Sequence, residues 1–425
     1  MGSDHGRSAA ASTSRVADLD GIRAIAIWMV MLMHVYYAFP NSPGALSFVP
    51  NAVMQIVGHG WLGVDLFFLL SGFLITGILL GSKGRPHYFR NFYVRRVLRI
   101  MPLYFAVILV WSFFYRGYGR YFLLSSVFCA NLARLLHIRH GGGPATLWSL
   151  AVEEHFYLLW PLIVLLLSER ALAITAGAIF ILTPVLRGIF AAHGMIPDLM
   201  YELSWFRFDG LAAGALLAIW ARSSFAGKRE SVRVTLLLMG AFVVLTIAGA
   251  PFGLMGRATA VAVALRYTQA YLFFGAFFVL VVGYRGTRWT SPLRWRFLQL
   301  SGALSYCLYL VHHSVGDGYE YLLKRSGISL VSYVGPSGTV FVRAVVMLGV
   351  SFGIALLSRK YLELPFLSLK DRFTEAEALK PEAQAASTDV RLQNVQGVRL
   401  FATNSHGSSY PVVSMKGDDE LPERK

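Results

Sequence analysis

Residues 61–81 read WLGVDLFFLLSGFLITGILLG, with Asp65 the one ionisable group in 21 positions. As a helix the stretch is about 31 Å long at 1.5 Å per residue, which matches the roughly 30 Å hydrocarbon core of a bilayer. Lipid leaves backbone polar groups no water to bond, so a run of this kind has to be helical. Working outward, similar apolar runs recur near 21–40, 100–115, 148–167, 171–190, 203–221, 234–250, 258–283, 298–322 and 339–358. The run 120–132 is too short to cross and reads as interfacial or re-entrant. The expected fold class is an all-α polytopic membrane protein with about ten transmembrane helices.

Composition agrees. Of 425 residues, 56% are hydrophobic and only 15% charged, whereas a soluble domain is about half apolar and a quarter charged. That excludes a secreted disulfide scaffold, a coiled coil and a mostly disordered chain. The 39 basic and 23 acidic residues leave a net charge of +16. The bases fall between apolar runs, as in cytoplasmic loops, and form no soluble patch for nucleic acid. Lys83, Arg85, Arg90, Arg95, Arg96 and Arg99 follow the second span. Arg222, Lys228, Arg229 and Arg233 follow the sixth, and Arg285, Arg288, Arg294 and Arg296 the eighth. This pattern predicts a multi-pass protein of the cytoplasmic (inner) membrane with amino and carboxyl termini cytoplasmic. Arg116, Arg120, Arg134 and Arg139 break the rule in one outer loop, an exception that suits a polar ligand. Residues 1–17 read as a disordered cytoplasmic leader, 18–370 as the transmembrane domain, and 371–425 as a polar, partly disordered cytoplasmic tail. Cys129 and Cys307 lie far apart without metal-ligand spacing and read as structural thiols, so no metal site is expected.

Ionisable groups inside spans are costly and mark pathways or sites. The first span carries Asp20, Arg23 and His34. Arg23 and His34 are eleven residues apart, which returns them to nearly the same helix face, about 16 Å apart along the axis. Asp20, one turn before Arg23, can pair with it. A snorkelling arginine and a satisfied histidine are the plainer alternative. The fourth span opens Trp148-Ser149-Leu150-Ala151-Val152-Glu153-Glu154-His155-Phe156-Tyr157. A carboxylate such as Glu153 brought to a histidine can orient it as a base; a structural ion-paired cluster is the alternative.

Asp209 with Arg207 reads as a helix-positioning pair, and Asp65 with Ser71-Gly72 as packing. The ninth span holds Tyr309 and His312, the histidine equally open to a functional and a structural role. Arg96 and Arg99 are one helical turn apart, which suits a polyphosphate because each fork can take two oxygens. A positive-inside signal explains the same residues. No nucleophile elbow, zinc-protease motif or Walker loop is present. The ionisable set is open both to an enzyme and to a proton-coupled exporter with His34, Asp65, Glu153 and Asp209 as its relay.

In their order along the chain these pieces resemble one family, the multi-pass acyltransferase-3 proteins that O-acylate sugars and other hydroxyl acceptors. The resemblance runs over about residues 16–368. It rests on Leu19-Asp20-Gly21-Ile22-Arg23 followed after ten residues by His34, and on Gly63-Val64-Asp65 through Ser71-Gly72-Phe73. It continues with Arg96-x-x-Arg99-Ile100-x-Pro102, the Trp148–Tyr157 stretch, Arg207-x-Asp209-Gly210, Ser305-Tyr306-x-Leu308-Tyr309-Leu310-x-His312 and Glu363-x-Pro365. His155 stands where the family often has Gln, and His313-Ser314 replaces a frequent Trp-Pro.

The resemblance implies acyl-CoA, acetyl-CoA first, as co-substrate from the cytoplasm, with no bound cofactor. The acceptor it implies is a hydroxyl of a glycan, a lipid-linked sugar or a small metabolite; the bilayer is the other partner and nucleic acid is not one. The site it suggests has His34 as general base with Glu153 as its orienter, and Arg23, Arg96 and Arg99 as donor-binding groups. Asp20, Asp65, Ser71, Trp148, Ser149, Tyr157, Arg207, Asp209, Tyr309 and His312 support them. No fused esterase-like domain is expected within these 425 residues, so the membrane domain or a separate partner is expected to complete the transfer.

Overall fold

The apolar runs become long helices, and the Gly, Pro and charged stretches between them become turns. A computed structural model describes residues 3–37, 49–114, 119–138, 144–223, 227–254 and 259–369. The expected tail 371–425 lies outside the described residues, as do Arg116 and Arg139. Thirteen α-helices follow one another among the described residues, without a strand. They are α1 Ser3–Tyr37, α2 Asn51–Gly58, α3 Leu62–Ser82, α4 Tyr88–Phe114, α5 Gly119–Ser126, α6 Leu147–Leu166 and α7 Glu169–Ala192. Then come α8 Pro197–Glu202, α9 Phe208–Arg222, α10 Lys228–Gly249, α11 Ala260–Gly283, α12 Arg296–Ser326 and α13 Leu330–Ser358. In α13 a non-helical Gly335 (φ 70°) before Pro336 makes a kink, because only glycine reaches that backbone region without strain. The backbone of α1 is helical from Ser3, where an unstructured leader was expected; Ala9, Ala10 and Ala11 are strong helix formers that extend the helix already begun in the span.

Eight of the described helical segments are long and apolar enough to cross a membrane, two fewer than the ten spans expected. The protein is a multi-pass membrane protein. The expected spans 203–221 and 298–322 are the two that differ. The first is shortened by the 3-10 turn Ser204–Phe206, so α9 has 15 residues and is about 22 Å long. The second, α12, is 31 residues long but interrupted by Ser301, Ser305, His312, His313, Asp317 and Glu320. Both are packed tightly inside the bundle. A Cβ on Gly72 of α3 would meet Leu211 O of α9 at 1.9 Å, and one on Gly302 of α12 would meet Asp20 O of α1 at 2.0 Å. Such backbone approach needs glycine, and a helix walled by protein need not be as apolar as one facing lipid.

The helices have two distinct ends. At one, Lys83 Nζ donates to Val164 O (2.7 Å) and Leu167 O (2.6 Å), joining the close of α3 to that of α6. Gln299 Nε2 donates to Ala17 O (2.8 Å), and Arg294 pairs with Asp18 (3.0 Å). This basic end gathers the turns that hold Lys83, Arg222, Lys228 and Arg288. The far end carries α2, α5 and α8. There the run 120–132 is the short helix α5 and a 3-10 turn, as its length required. Arg134, one of the bases that suggested a polar ligand, is instead tied to Glu202 (2.8 Å) and Asp198 (3.3 Å) of α8. Its hydrogen bonds to Glu202 push the guanidinium pKa up.

Candidate active site

Two cavities adjoin inside the bundle, and their chemistry differs. The one nearer the basic end has a volume of about 110 Å³ and is lined by Arg23, Ser71, Arg96, Arg99, Glu153, Tyr157 and Tyr309 among others. Arg96 and Arg99 are three residues apart on α4, so one helix face presents both. Arg96 lies over the Tyr157 ring, 5.1 Å from its centroid, and Arg99 is exposed. Neither forms an ion pair among the described residues. Arg23 Nη1 donates to Asp20 Oδ1 at 2.6 Å, as the spacing predicted. Glu153 accepts from Ser71 Oγ (2.8 Å) and from Tyr157 OH (2.9 Å). The lining of this cavity holds three guanidinium groups and one carboxylate, with Arg23 paired to Asp20. That surplus suits an anionic ligand.

The second cavity, about 400 Å³, lies nearer the far end and is lined by His34, Trp61, Thr146, Trp148, Asp198, Tyr201, Arg266 and Tyr267, among others. Trp148 and Tyr201 pack with ring centroids 4.5 Å apart, and Trp61 meets Tyr267 at 5.9 Å. His34 Nδ1 is 2.8 Å from Val30 O and 3.3 Å from His312 Nε2. His312 Nδ1 is 2.9 Å from Leu308 O. A carbonyl only accepts, so both Nδ1 atoms are assigned the proton from these partners. His312 Nε2 then shares the His34 Nδ1–H, and His34 Nε2 is left with its lone pair. A histidine in this state can act as a base.

Glu153 therefore does not orient His34. The two line different cavities, because Glu153 stands at the level of Arg23 and Arg96, about three turns of α1 below the histidine. His312 holds the place expected of it. The expected Arg207–Asp209 pair is also corrected. Arg207 Nη2 donates to Asp65 Oδ1 at 2.6 Å, and Asp209 accepts from Arg187 Nη2 at 2.7 Å. All four side chains are fully buried. Tyr271 OH also donates to Asp65 (2.7 Å), and the Arg207 guanidinium lies 3.9 Å from the Tyr267 ring centroid. Asp65 and Arg207 thus brace the aromatic wall from behind.

Tyr309 and Val64 line both cavities. Ser149 Oγ donates to Thr146 O (3.0 Å), so the Tyr309 OH, 2.5 Å from Ser149 Oγ, donates to it. Sequence reasoning missed Arg187, Tyr201, Arg266 and Tyr267. A lone arginine in the apolar run around Arg187 was the available signal; the tyrosines offered none.

Residues 16–358 match the family model described as an acyltransferase domain, acyltransferase 3. The chain belongs to the acyltransferase-3 family. It is 25% identical over 390 residues to the peptidoglycan O-acetyltransferase of Listeria monocytogenes serovar 1/2a, covering 83% of this chain and 56% of that protein. A Bacillus subtilis strain 168 protein, provisionally named a peptidoglycan O-acetyltransferase, is 27% identical over 337 residues (71% and 48%). An O-acetyltransferase of Staphylococcus aureus strain NCTC 8325 is 30% identical over 175 residues (36% and 25%). The chain spans about half the length of the first two relatives. No solved structure gives a significant match. In this member of the acyltransferase-3 family, the motif residues divide between the two cavities: Arg23, Ser71, Arg96, Arg99, Glu153 and Tyr157 in one, His34 and Trp148 in the other.

Proposed function

We propose that the chain moves an acetyl group from acetyl-CoA to a carbohydrate hydroxyl, in the cytoplasmic membrane, with the donor entering from the basic end on the cytoplasmic side. The observation that carries this reading is the pair of adjoining cavities, one lined by guanidinium groups and the other by aromatic rings and His34. A cavity of about 110 Å³ suits the thioester end of the donor and excludes its nucleotide. Arg96 and Arg99 then hold phosphate or pantetheine amide oxygens at the mouth. Glu153, held by Ser71 and Tyr157, balances their charge. The aromatic cavity suits a pyranose ring, whose apolar face packs on Trp148 or Tyr201. The names of the Listeria and Bacillus relatives favour a glycan of the peptidoglycan type as acceptor.

His34 Nε2 takes the proton as the acceptor oxygen attacks the thioester carbonyl. The C–S bond breaks, the new ester forms, and the proton passes to the thiolate to give free CoA. No acyl-enzyme is required, and among the described residues no Cys or Ser lines the His34 cavity. Asp65 and Asp209, two of the four residues an exporter relay would use, are each tied to a buried arginine, which disfavours that alternative.

The test uses purified protein, radiolabelled acetyl-CoA and an oligosaccharide of N-acetylglucosamine or a muropeptide. Label is expected in the saccharide as a base-labile ester. Folded protein that neither transfers nor cleaves the thioester overturns the reading.

A further inference from the structure

We propose that Tyr309 is a movable partition between the donor and acceptor cavities, latched by Ser149 and released when an acceptor is seated. The inference rests on the donor and acceptor reading above. The Tyr309 ring and Val64 separate the guanidinium cavity from the aromatic one, and both residues are buried. The ring meets Phe67 on the donor side (centroids 5.9 Å) and His312 on the other (6.0 Å). Transfer needs reacting atoms about 3–3.5 Å apart. With the ring in place, the thioester and the hydroxyl activated by His34 lie on opposite sides of it. The ring has to turn.

The latch shows how an acceptor can turn it. Tyr309 OH, on α12, donates to Ser149 Oγ in the first turn of α6, and Ser149 donates to the carbonyl of Thr146, the residue that caps that helix. Trp148 of that turn and the capping Thr146 both line the acceptor cavity. Thr146 Oγ1 is buried and has no hydrogen-bond partner. Such a group is costly to leave unmade, so it marks a place where a ligand hydroxyl gains by binding. An acceptor that stacks on Trp148 and bonds Thr146 strains the turn that holds the latch. Donor exposure is thereby coupled to acceptor arrival, and water in the aromatic cavity is kept from the thioester until then.

An unlatched partition lets water replace the acceptor: water attacks the thioester carbonyl, the C–S bond breaks, and acetate and free CoA are formed. The test measures thiol release from acetyl-CoA without acceptor, and ester formation with an N-acetylglucosamine oligosaccharide, on the full chain. Ser149→Ala and Tyr309→Phe each remove the latch bond and keep the ring. Each is expected to raise the ratio of acceptor-independent cleavage to transfer by about fivefold to tenfold, the shift one hydrogen bond supports. The double variant should rise no further than either single one, because both remove the same bond. An unchanged ratio in variants that still transfer overturns the partition. So does loss of both activities in folded Ser149→Ala, which would make Ser149 part of the chemistry. Wild-type protein that neither transfers nor cleaves overturns the donor and acceptor reading, and the partition with it.

Discussion

The guanidinium cavity and the aromatic cavity were written into the chain in different ways. The first is built from short-range repeats: Arg96 and Arg99 on one turn of α4, Glu153 and Tyr157 on one turn of α6, and Arg23 one turn from Asp20. The second takes His34 from α1, Trp61 from the turn before α3, Trp148 from α6, Tyr201 from α8 and Tyr267 from α11. Charge inside a membrane is costly and therefore conspicuous. Aromatic residues make up 14% of the chain and sit in lipid-facing and interfacial positions too, so Trp61, Tyr201 and Tyr267 carry no mark of the wall they form. Under the proposed function the contrast is a division of labour, with donor affinity in the first cavity, and acceptor affinity and proton transfer in the second.

The variant expected to have the largest effect is His34→Gln, because general-base catalysis contributes about 10²–10⁴-fold. Turnover should fall by that factor while the apparent KM for acetyl-CoA holds. Single-turnover rates on detergent-purified protein would show it, and near-normal turnover would leave the aromatic cavity without its chemistry.

Next in size is a stability effect. Asp65→Leu leaves Arg207 buried without its carboxylate, and breaking such a pair costs about 3–5 kcal/mol. The double variant Asp65→Leu/Arg207→Met should regain much of the loss. Thermal unfolding in detergent measures both.

Arg96→Ala sharpens the comparison from the donor side. A charge-assisted hydrogen bond is worth roughly 1.5–3 kcal/mol, so the apparent KM for acetyl-CoA should rise by about ten- to a hundredfold. Acceptor KM should not move, and Arg96→Lys should recover only part because the fork is lost. A change confined to acceptor KM would reverse the assignment of the cavities.

The smallest effect belongs to Arg134→Met. Arg134 is partly exposed, Asp198 is exposed, and only the Glu202 carboxylate is buried. The loss should therefore lie between the ~1 kcal/mol of a surface pair and the ~3–5 kcal/mol of a fully buried one. A drop in unfolding temperature smaller than that of Asp65→Leu, with transfer retained, is expected, in keeping with a bracket for α8 and against a ligand site in that loop.

Partner choice separates what was legible from what was not. Asp20 and Arg23 pair as their spacing dictates, because neighbours one turn apart have little freedom to do otherwise. Arg207 lies two residues from Asp209, a spacing at which side chains on a helix do not face each other. Each instead reaches a residue of another helix, Asp65 and Arg187. His34 and Glu153 were paired by chemistry alone. Their heights in the bundle separate them, and His312, which had equal claims to function and structure, stands beside His34. Counting spans failed at α9 and α12 for a related reason. Hydropathy reports what faces lipid, whereas these two helices face protein along Gly72, Gly214 and Gly302.

By itself, the sequence determined an all-helical membrane chain, the basic loops between its helices, and which motif residues share a face within one helix, as Asp20 with Arg23 and Arg96 with Arg99. These follow from local causes: backbone groups in lipid must bond within their own helix, and a period of 3.6 residues sets which side chains lie together. Only the tertiary structure decided that the motif residues line two cavities, that His312 and not Glu153 lies beside His34, and that Tyr309 stands between the two cavities. Those relations depend on the depth and rotation at which separate helices pack. Packing is set by close contacts among residues distant in the chain, and the spacing of a motif along one helix carries no information about them.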